Sequence, residues 1–310
     1  MKKTIIFHDK PGKALTPQKK IDQHNLPFTL NSTIGCLFGC AYCYLQGFPF
    51  NLHTDFGKEV KVKTWIYERL DLELDKYRNL PQHLKRVQVN VASEGYLPDV
   101  RIKTKRELDR DIMAEILDTF KRHWEEGNCW MVHLMTKSHM VLKHLNNIQN
   151  MRNQVQLELT IATLNEQRKK ILEKYAPSVK RRLDIIRKFS DAGIFVRIMC
   201  MPLIGTREEA GELRQICFDN GARAFKHKGV NYFDENALLA GEIVSEGGRE
   251  DEVFEDLLVK SGEPVIENGE PMIMTVQMPT PKWDEFEDRD MVIEDTGYTE
   301  MNDIDWGYLR

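Results

Sequence analysis

Apolar residues along the chain fall into two alternating patterns. RVQVNVAS (Arg86–Ser93) switches strictly between polar and apolar positions, the period of a strand. CWMVHLMT (Cys129–Thr136), VQLELTIAT (Val155–Thr163), IFVRIMCMP (Ile194–Pro202) and ARAFKHKGV (Ala222–Val230) are further runs of strand length. FTLNST (Phe28–Thr33) supplies a strand ahead of them. Between these runs, apolar residues recur at helical spacing over Thr64–Tyr77, Glu107–Glu126, Ser138–Ile148, Asn165–Lys174, Ser178–Asp191 and Thr206–Asp219. Gly127, Ala192-Gly193 and Asn220-Gly221 mark helix ends, and Pro202 stops a strand.

About six strands alternating with helices predict an α/β fold with a parallel sheet and helices outside. That allows an open doubly wound sheet or a barrel, and we adopt a partial (β/α)6 barrel of the TIM type. Residues 1–27 are polar and read as an N-terminal arm, and 28–232 form the core. Beyond it the rhythm fails, leaving 233–310 as an acidic C-terminal extension in which Asp251–Lys260 can form one more helix. In such barrels chemistry sits where strands end. The positions to watch are therefore Ser93-Glu94, Thr136-Lys137, Ala162-Thr163 and Pro202–Gly205.

Charge divides the same way. Phe233–Arg310 carries 22 acidic against 5 basic residues, a net of −17. Met1–Tyr232 holds the remaining 39 basic and 26 acidic residues, a net of +13. A basic body is one that a polyanion can bind, and an acidic tail can compete for it. No apolar run reaches the ~18 residues of a membrane span. The start, MKKTIIFHDKPGK, lacks the apolar core of a signal peptide. Six cysteines in 310 residues make no disulfide scaffold, so a cytoplasmic setting is expected.

Three of those six cysteines crowd into TIGCLFGCAYCYLQ (Thr33–Gln46), at Cys36, Cys40 and Cys43. Buried structural cysteines belong in strands and helices, not on a loop holding Gly35 and Gly39. A structural zinc site wants four ligands, for which His53 is a candidate fourth. A four-iron cluster takes thiolates, and with three of them one iron keeps an open position for a substrate or cofactor.

Cys-x3-Cys-x-Tyr-Cys after the first strand of a βα series resembles the radical S-adenosylmethionine (SAM) superfamily. The run Gly35–Leu45 resembles its spore photoproduct lyase-like branch. Ser93-Glu94-Gly95-Tyr96-Leu97-Pro98 matches loosely, in register, a segment of that branch. Thr136-Lys137-Ser138, Ala176-Pro177-Ser178 with Arg182, and Ala192-Gly193-Ile194 leading to Pro202-Leu203-Ile204-Gly205 match further. The likeness covers roughly residues 28–206.

The resemblance implies a 4Fe-4S cluster on Cys36, Cys40 and Cys43, with SAM chelating the open iron. Reductive cleavage of SAM would yield a 5′-deoxyadenosyl radical that abstracts hydrogen from substrate. Ser93 and Glu94 would meet the SAM amino group, Tyr42 the adenine, Arg182 or its neighbour Arg181 the carboxylate, and Thr160 or Thr163 the ribose. Lys137 would bind substrate or SAM, and Tyr96 is the nearest redox-capable side chain. Authentic photoproduct lyases carry a hydrogen-donor cysteine after the second strand, where this chain has Val91-Ala92-Ser93-Glu94. Three functions stay open: a radical SAM enzyme acting on nucleic acid, one acting on a peptide or small metabolite, and a non-enzymatic iron–sulfur or zinc protein. A flavodoxin or ferredoxin would serve as reductant, and no membrane is involved.

Overall fold

The computed structural model describes residues 3–18, 26–43, 45, 55–97, 111–202 and 207–227, with short strands at 231–232, 266–267, 270–271 and 276–277. In chain order the main elements are β1 (Thr4–His8), β2 (Thr16–Pro17), β3 (Phe28–Leu30), β4 (Thr33–Ile34), β5 (Glu59–Lys63), α1 (Ile66–Lys76), β6 (Arg86–Val89), α2 (Ile112–Glu125), β7 (Met131–Thr136), α3 (Leu145–Gln149), β8 (Val155–Thr160), α4 (Glu166–Leu172), α5 (Val179–Asp191), β9 (Phe195–Cys200), α6 (Arg207–Asp219) and β10 (Ala224–His227).

Strands β3, β6, β7, β8, β9 and β10 lie side by side in chain order, all parallel. The two-residue β2 pairs antiparallel with the β3 edge. Helices cross between successive strands, as the βα rhythm predicts. A second sheet, ordered β1-β5-β4, stands beside the first. Residues 1–27 thus contribute β1, paired in parallel with β5, and β2.

Strand register sorts side chains onto two faces. Val87, Val89, Val132, Leu134, Leu157, Leu159, Val196 and Ile198 share one face and join Ile116, Leu117, Phe120, Ile185 and Phe189 of α2 and α5 in a single apolar core. Gln88, His133, Gln156, Glu158 and Arg197 share the opposite face, and all five are buried. The alternation in Arg86–Ser93 therefore separates an apolar from a polar interior, not core from solvent. Glu158 ties that polar face together. It accepts hydrogen bonds from Gln88 Nε2 at 2.8 Å, His133 Nδ1 at 3.0 Å, Gln156 Nε2 at 3.3 Å and Arg197 Nη2.

Four boundaries differ from expectation. The strand predicted over Phe28–Thr33 breaks at Asn31-Ser32, and β4 leaves for the second sheet. The Ser32 N–H and hydroxyl both donate to Asn90 Oδ1, at 3.1 and 2.7 Å, and Asn31 Oδ1 accepts the Ala92 N–H. Asn90 itself has φ 63°, which ends β6 at Val89 instead of Ser93. The helix expected from Glu107 begins at Ile112, where Asp111 Oδ1 caps the N–H groups of Met113 and Ala114. Ser138–Ile148 divides into a 3-10 turn, His139–His144, followed by α3. Residues 107–110, His53, Leu203–Gly205 and Asp251–Lys260 lie outside the described residues. Among the described residues no helix is long and apolar enough to cross a membrane.

Candidate functional site

The cysteine loop springs from β4 and returns to β5, so the second sheet holds both its ends. Gly57 N–H donates to the Cys36 carbonyl at 3.0 Å, closing the loop's base. There Gly39 and Gly57 meet backbone to backbone. A Cβ on Gly57 would lie 2.9 Å from Gly39 Cα, and both residues have positive φ, so glycine is required at each. On its other side the loop rests on the end of α4. Ala41 N–H donates to the Leu172 carbonyl at 2.8 Å, and Tyr175 N–H to the Phe38 carbonyl at 3.3 Å.

Three neighbouring strand ends converge beside the loop: Glu94 after β6, Thr136-Lys137 at the end of β7, and Thr160 closing β8. Glu94 is buried, and its carboxylate accepts four contacts. They come from Thr136 Oγ1 at 2.8 and 3.0 Å, Lys137 N–H at 3.0 Å and Tyr96 N–H at 2.9 Å. Burial pushes its carboxyl up to about 7, against those hydrogen bonds. Ser93 is half-buried, with its hydroxyl 3.3 Å from Asn90 Oδ1 and 3.4 Å from Asn31 Oδ1. Tyr96 is fully buried, its hydroxyl 3.4 Å from His144 Nδ1, and His144 Nε2 lies 3.1 Å from Asp111.

The titration of Glu94 has a measurable consequence. Its folded value lies above the ordinary 4.5, so the folded chain holds that proton more tightly than the unfolded chain. Stability is then expected to fall as pH rises from about 5 to about 7. Urea unfolding of the wild type at those pH values should show the decline, and Glu94→Gln should flatten it. An unchanged slope in the variant would assign the decline elsewhere.

A second carboxylate, one that no sequence motif marked, completes the site. Glu173 accepts the Tyr42 hydroxyl and, at 2.6 Å, Arg182 Nη2, while Lys137 Nζ lies 3.9 Å away. Arg182 Nη1 donates to the Thr160 carbonyl at 3.0 Å. Burial opposes ionisation of Glu173, but Arg182 and then Lys137 overcome it and hold the carboxyl below its ordinary range. Tyr42, Thr160, Arg182 and Lys137 are thus brought into one cluster behind the loop. Thr163 is drawn away from it, accepting from Asn165 N–H and Arg168 Nη1. It borders a cleft of about 210 Å³ with Asn165, Glu209 and Glu212.

The three thiols match a thiolate-held 4Fe-4S cluster in number and type. Burial pushes Cys36 well up, Cys40 to about 12 and Cys43 to about 11, so the metal-free loop carries thiols. Lys137 acts in the opposite sense on Cys40 and Cys43, favouring their thiolates. Cys36 Sγ accepts the Phe38 N–H at 3.4 Å, the kind of backbone donor that cluster sulfurs use. Among the described residues no three His, Cys, Asp or Glu side chains stand close enough to hold a single metal ion. The fit is therefore one of donor type and loop support, not of a preformed cage.

Comparison with known proteins bears on the fold. Solved structures of spore photoproduct lyase superpose with a TM-score of 0.58 at 14% identity, over 78% of this chain and 66% of theirs. The chain shares that fold. One such structure is a mutant with bound AdoMet and dinucleoside spore photoproduct, also at a TM-score of 0.58. Among sequences, an uncharacterized protein of Acidianus two-tailed virus is 25% identical over 186 residues, 57% of this chain and 56% of its own length. An uncharacterized protein of Methanocaldococcus jannaschii is 25% identical over 244 residues, 74% of this chain and 84% of its own. The chain thus spans less than two thirds of the viral relative. No family model matches it.

Proposed function

We propose that this chain is a radical SAM enzyme, with Cys36, Cys40 and Cys43 holding a 4Fe-4S cluster whose remaining iron takes SAM. One observation carries the reading: the C-x3-C-x2-C loop sits at the C-terminal ends of parallel strands in the spore photoproduct lyase fold. When bound, cluster and SAM supply one-electron cleavage of the sulfonium and a hydrogen-abstracting radical. The chain's own residues bind, orient and exclude water. Glu94 and Ser93 are assigned to the SAM amino group, for which their oxygens are suitable acceptors. Lys137, whose charge favours the Cys40 and Cys43 thiolates, is assigned to an anionic group of SAM or substrate. The Tyr42 backbone and Thr160 are assigned to the adenosyl moiety.

For substrate, the reading is a nucleic-acid base, in repair or modification. The +13 body supports it, and a fold neighbour was solved with a dinucleoside photoproduct. Binding of an oligonucleotide to the full chain should weaken with salt, log K falling by about 0.9 per log unit for each phosphate contacted on duplex DNA. A salt-independent or undetectable interaction would favour a peptide or small metabolite instead. The chemistry itself is tested by release of 5′-deoxyadenosine.

A further inference from the structure

Glu173 sits where the loop, α5 and the end of β7 meet. Its side chain is 1% exposed and that of Arg182 is 0% exposed, so both ions of the pair have left water. Desolvation of two charges offsets much of their attraction, and apolar side chains of similar size often stabilise as well or better. Stability alone is thus a weak reason for a buried pair here. Arg182 is also imperfectly satisfied: among the described residues its Nε has no hydrogen-bond partner, although both Nη groups do. What the pair adds is a grip on Tyr42. That residue lies between Cys40 and Cys43, and its hydroxyl donates to the same carboxylate. Main-chain bonds from Ala41 to Leu172 and from Tyr175 to Phe38 flank this contact on both sides. The loop's middle is therefore pinned by side chain and backbone to one turn, Leu172–Tyr175.

We propose that Glu173 is a positioning residue. Braced by Arg182 against the Thr160 carbonyl, it holds Tyr42 and so sets the arrangement of the loop thiols before any cofactor arrives. The claim rests on the reading of this loop as the metal site. It also changes the part given to Arg182. The guanidinium serves the loop through Glu173 and does not touch a ligand's carboxylate.

The test uses the metal-free full chain and iodoacetamide, with labelling of each cysteine followed by mass spectrometry. Tyr42→Phe removes one hydroxyl, and Glu173→Gln removes the charge. Losing one hydrogen bond should raise labelling of Cys40 and Cys43 about threefold to tenfold in Tyr42→Phe, and more in Glu173→Gln. Cys129, half-buried ahead of β7, should label at the wild-type rate in both. After reconstitution with iron and sulfide, both variants should lose iron faster and show an altered cluster EPR spectrum. Should Glu173→Gln fail to fold, Tyr42→Phe and the double variant Glu173→Gln/Arg182→Met carry the test. Unchanged labelling of Cys40 and Cys43 in Tyr42→Phe would overturn the proposal. An equal rise at Cys129 would too, because it reports general loosening. If the wild type takes up no iron, the metal reading fails, while the labelling pattern still decides the role of Glu173.

Discussion

Cys40→Ala is expected to abolish both cluster retention and SAM cleavage. Cys40 is the middle cysteine of the three and is buried, 6% exposed, at the point where the loop lies against the end of α4. Two thiols cannot hold a four-iron cluster in place of three, and no other cysteine lies near in sequence to substitute. Reconstituted wild type should carry about four irons per chain, and the variant less than one. Formation of 5′-deoxyadenosine should fall by at least about a thousandfold, on the order of 4 kcal/mol in barrier. Cys217→Ala is the matched control. It removes a buried thiol from α6, far along the chain from the loop, and should keep iron and activity. Loss in Cys40→Ala with circular dichroism intact locates the effect in the loop. Loss in both variants would point to general instability instead.

Glu158→Ala should produce the largest loss of stability on the polar face. The residue is fully buried and accepts from donors on β6, β7, β8 and β9, so four strands share one acceptor. Removing it takes the carboxylate from beside the buried Arg197 guanidinium. The cost of breaking such a pair from one side is about 3–5 kcal/mol. Urea unfolding should read this as a lower midpoint with little change in slope. Burial opposes the charge on Glu158, but Arg197 foremost, then His133 and Gln88, hold the carboxyl far below its ordinary value of 4.5. The stability it supplies is present above that ordinary value and lost only as pH falls through the lower folded one. Between about pH 5 and pH 8 it therefore adds no slope, in contrast to Glu94. A destabilisation that varies across that window would assign the effect to another group.

The βα rhythm was legible because strand and helix periods differ and because turns such as Gly127 and Asn220-Gly221 punctuate them. Each strand expected from Arg86 onward appears, and the sheet they form is parallel. The cysteine loop was legible because three thiols within eight residues have few structural uses. Other features were hidden for physical reasons. A strand that alternates polar and apolar positions reads the same whether its polar face meets water or a buried Glu158. Glu173 belongs to no motif, and a carboxylate at a helix end looks like a solvated one until Tyr42 and Arg182 close over it. The break at Asn31-Ser32 depends on Asn90, 58 residues further on, so no local window could show it. Glu94 was expected, with Ser93, to meet the SAM amino group. Its carboxylate bonds to Tyr96, Thr136 and Lys137, contacts no motif announced, which fix its position at the loop.

Reductive cleavage of SAM at the cysteine loop can be read from its products. The full chain is reconstituted anaerobically with iron and sulfide, reduced with dithionite and incubated with SAM, and products are separated by chromatography. The wild type should release 5′-deoxyadenosine and methionine in equal amounts, dependent on reductant, and Cys40→Ala should release neither. A chain that binds about four irons yet releases no 5′-deoxyadenosine, or a Cys40→Ala variant that still releases it, would rule out SAM cleavage at this loop.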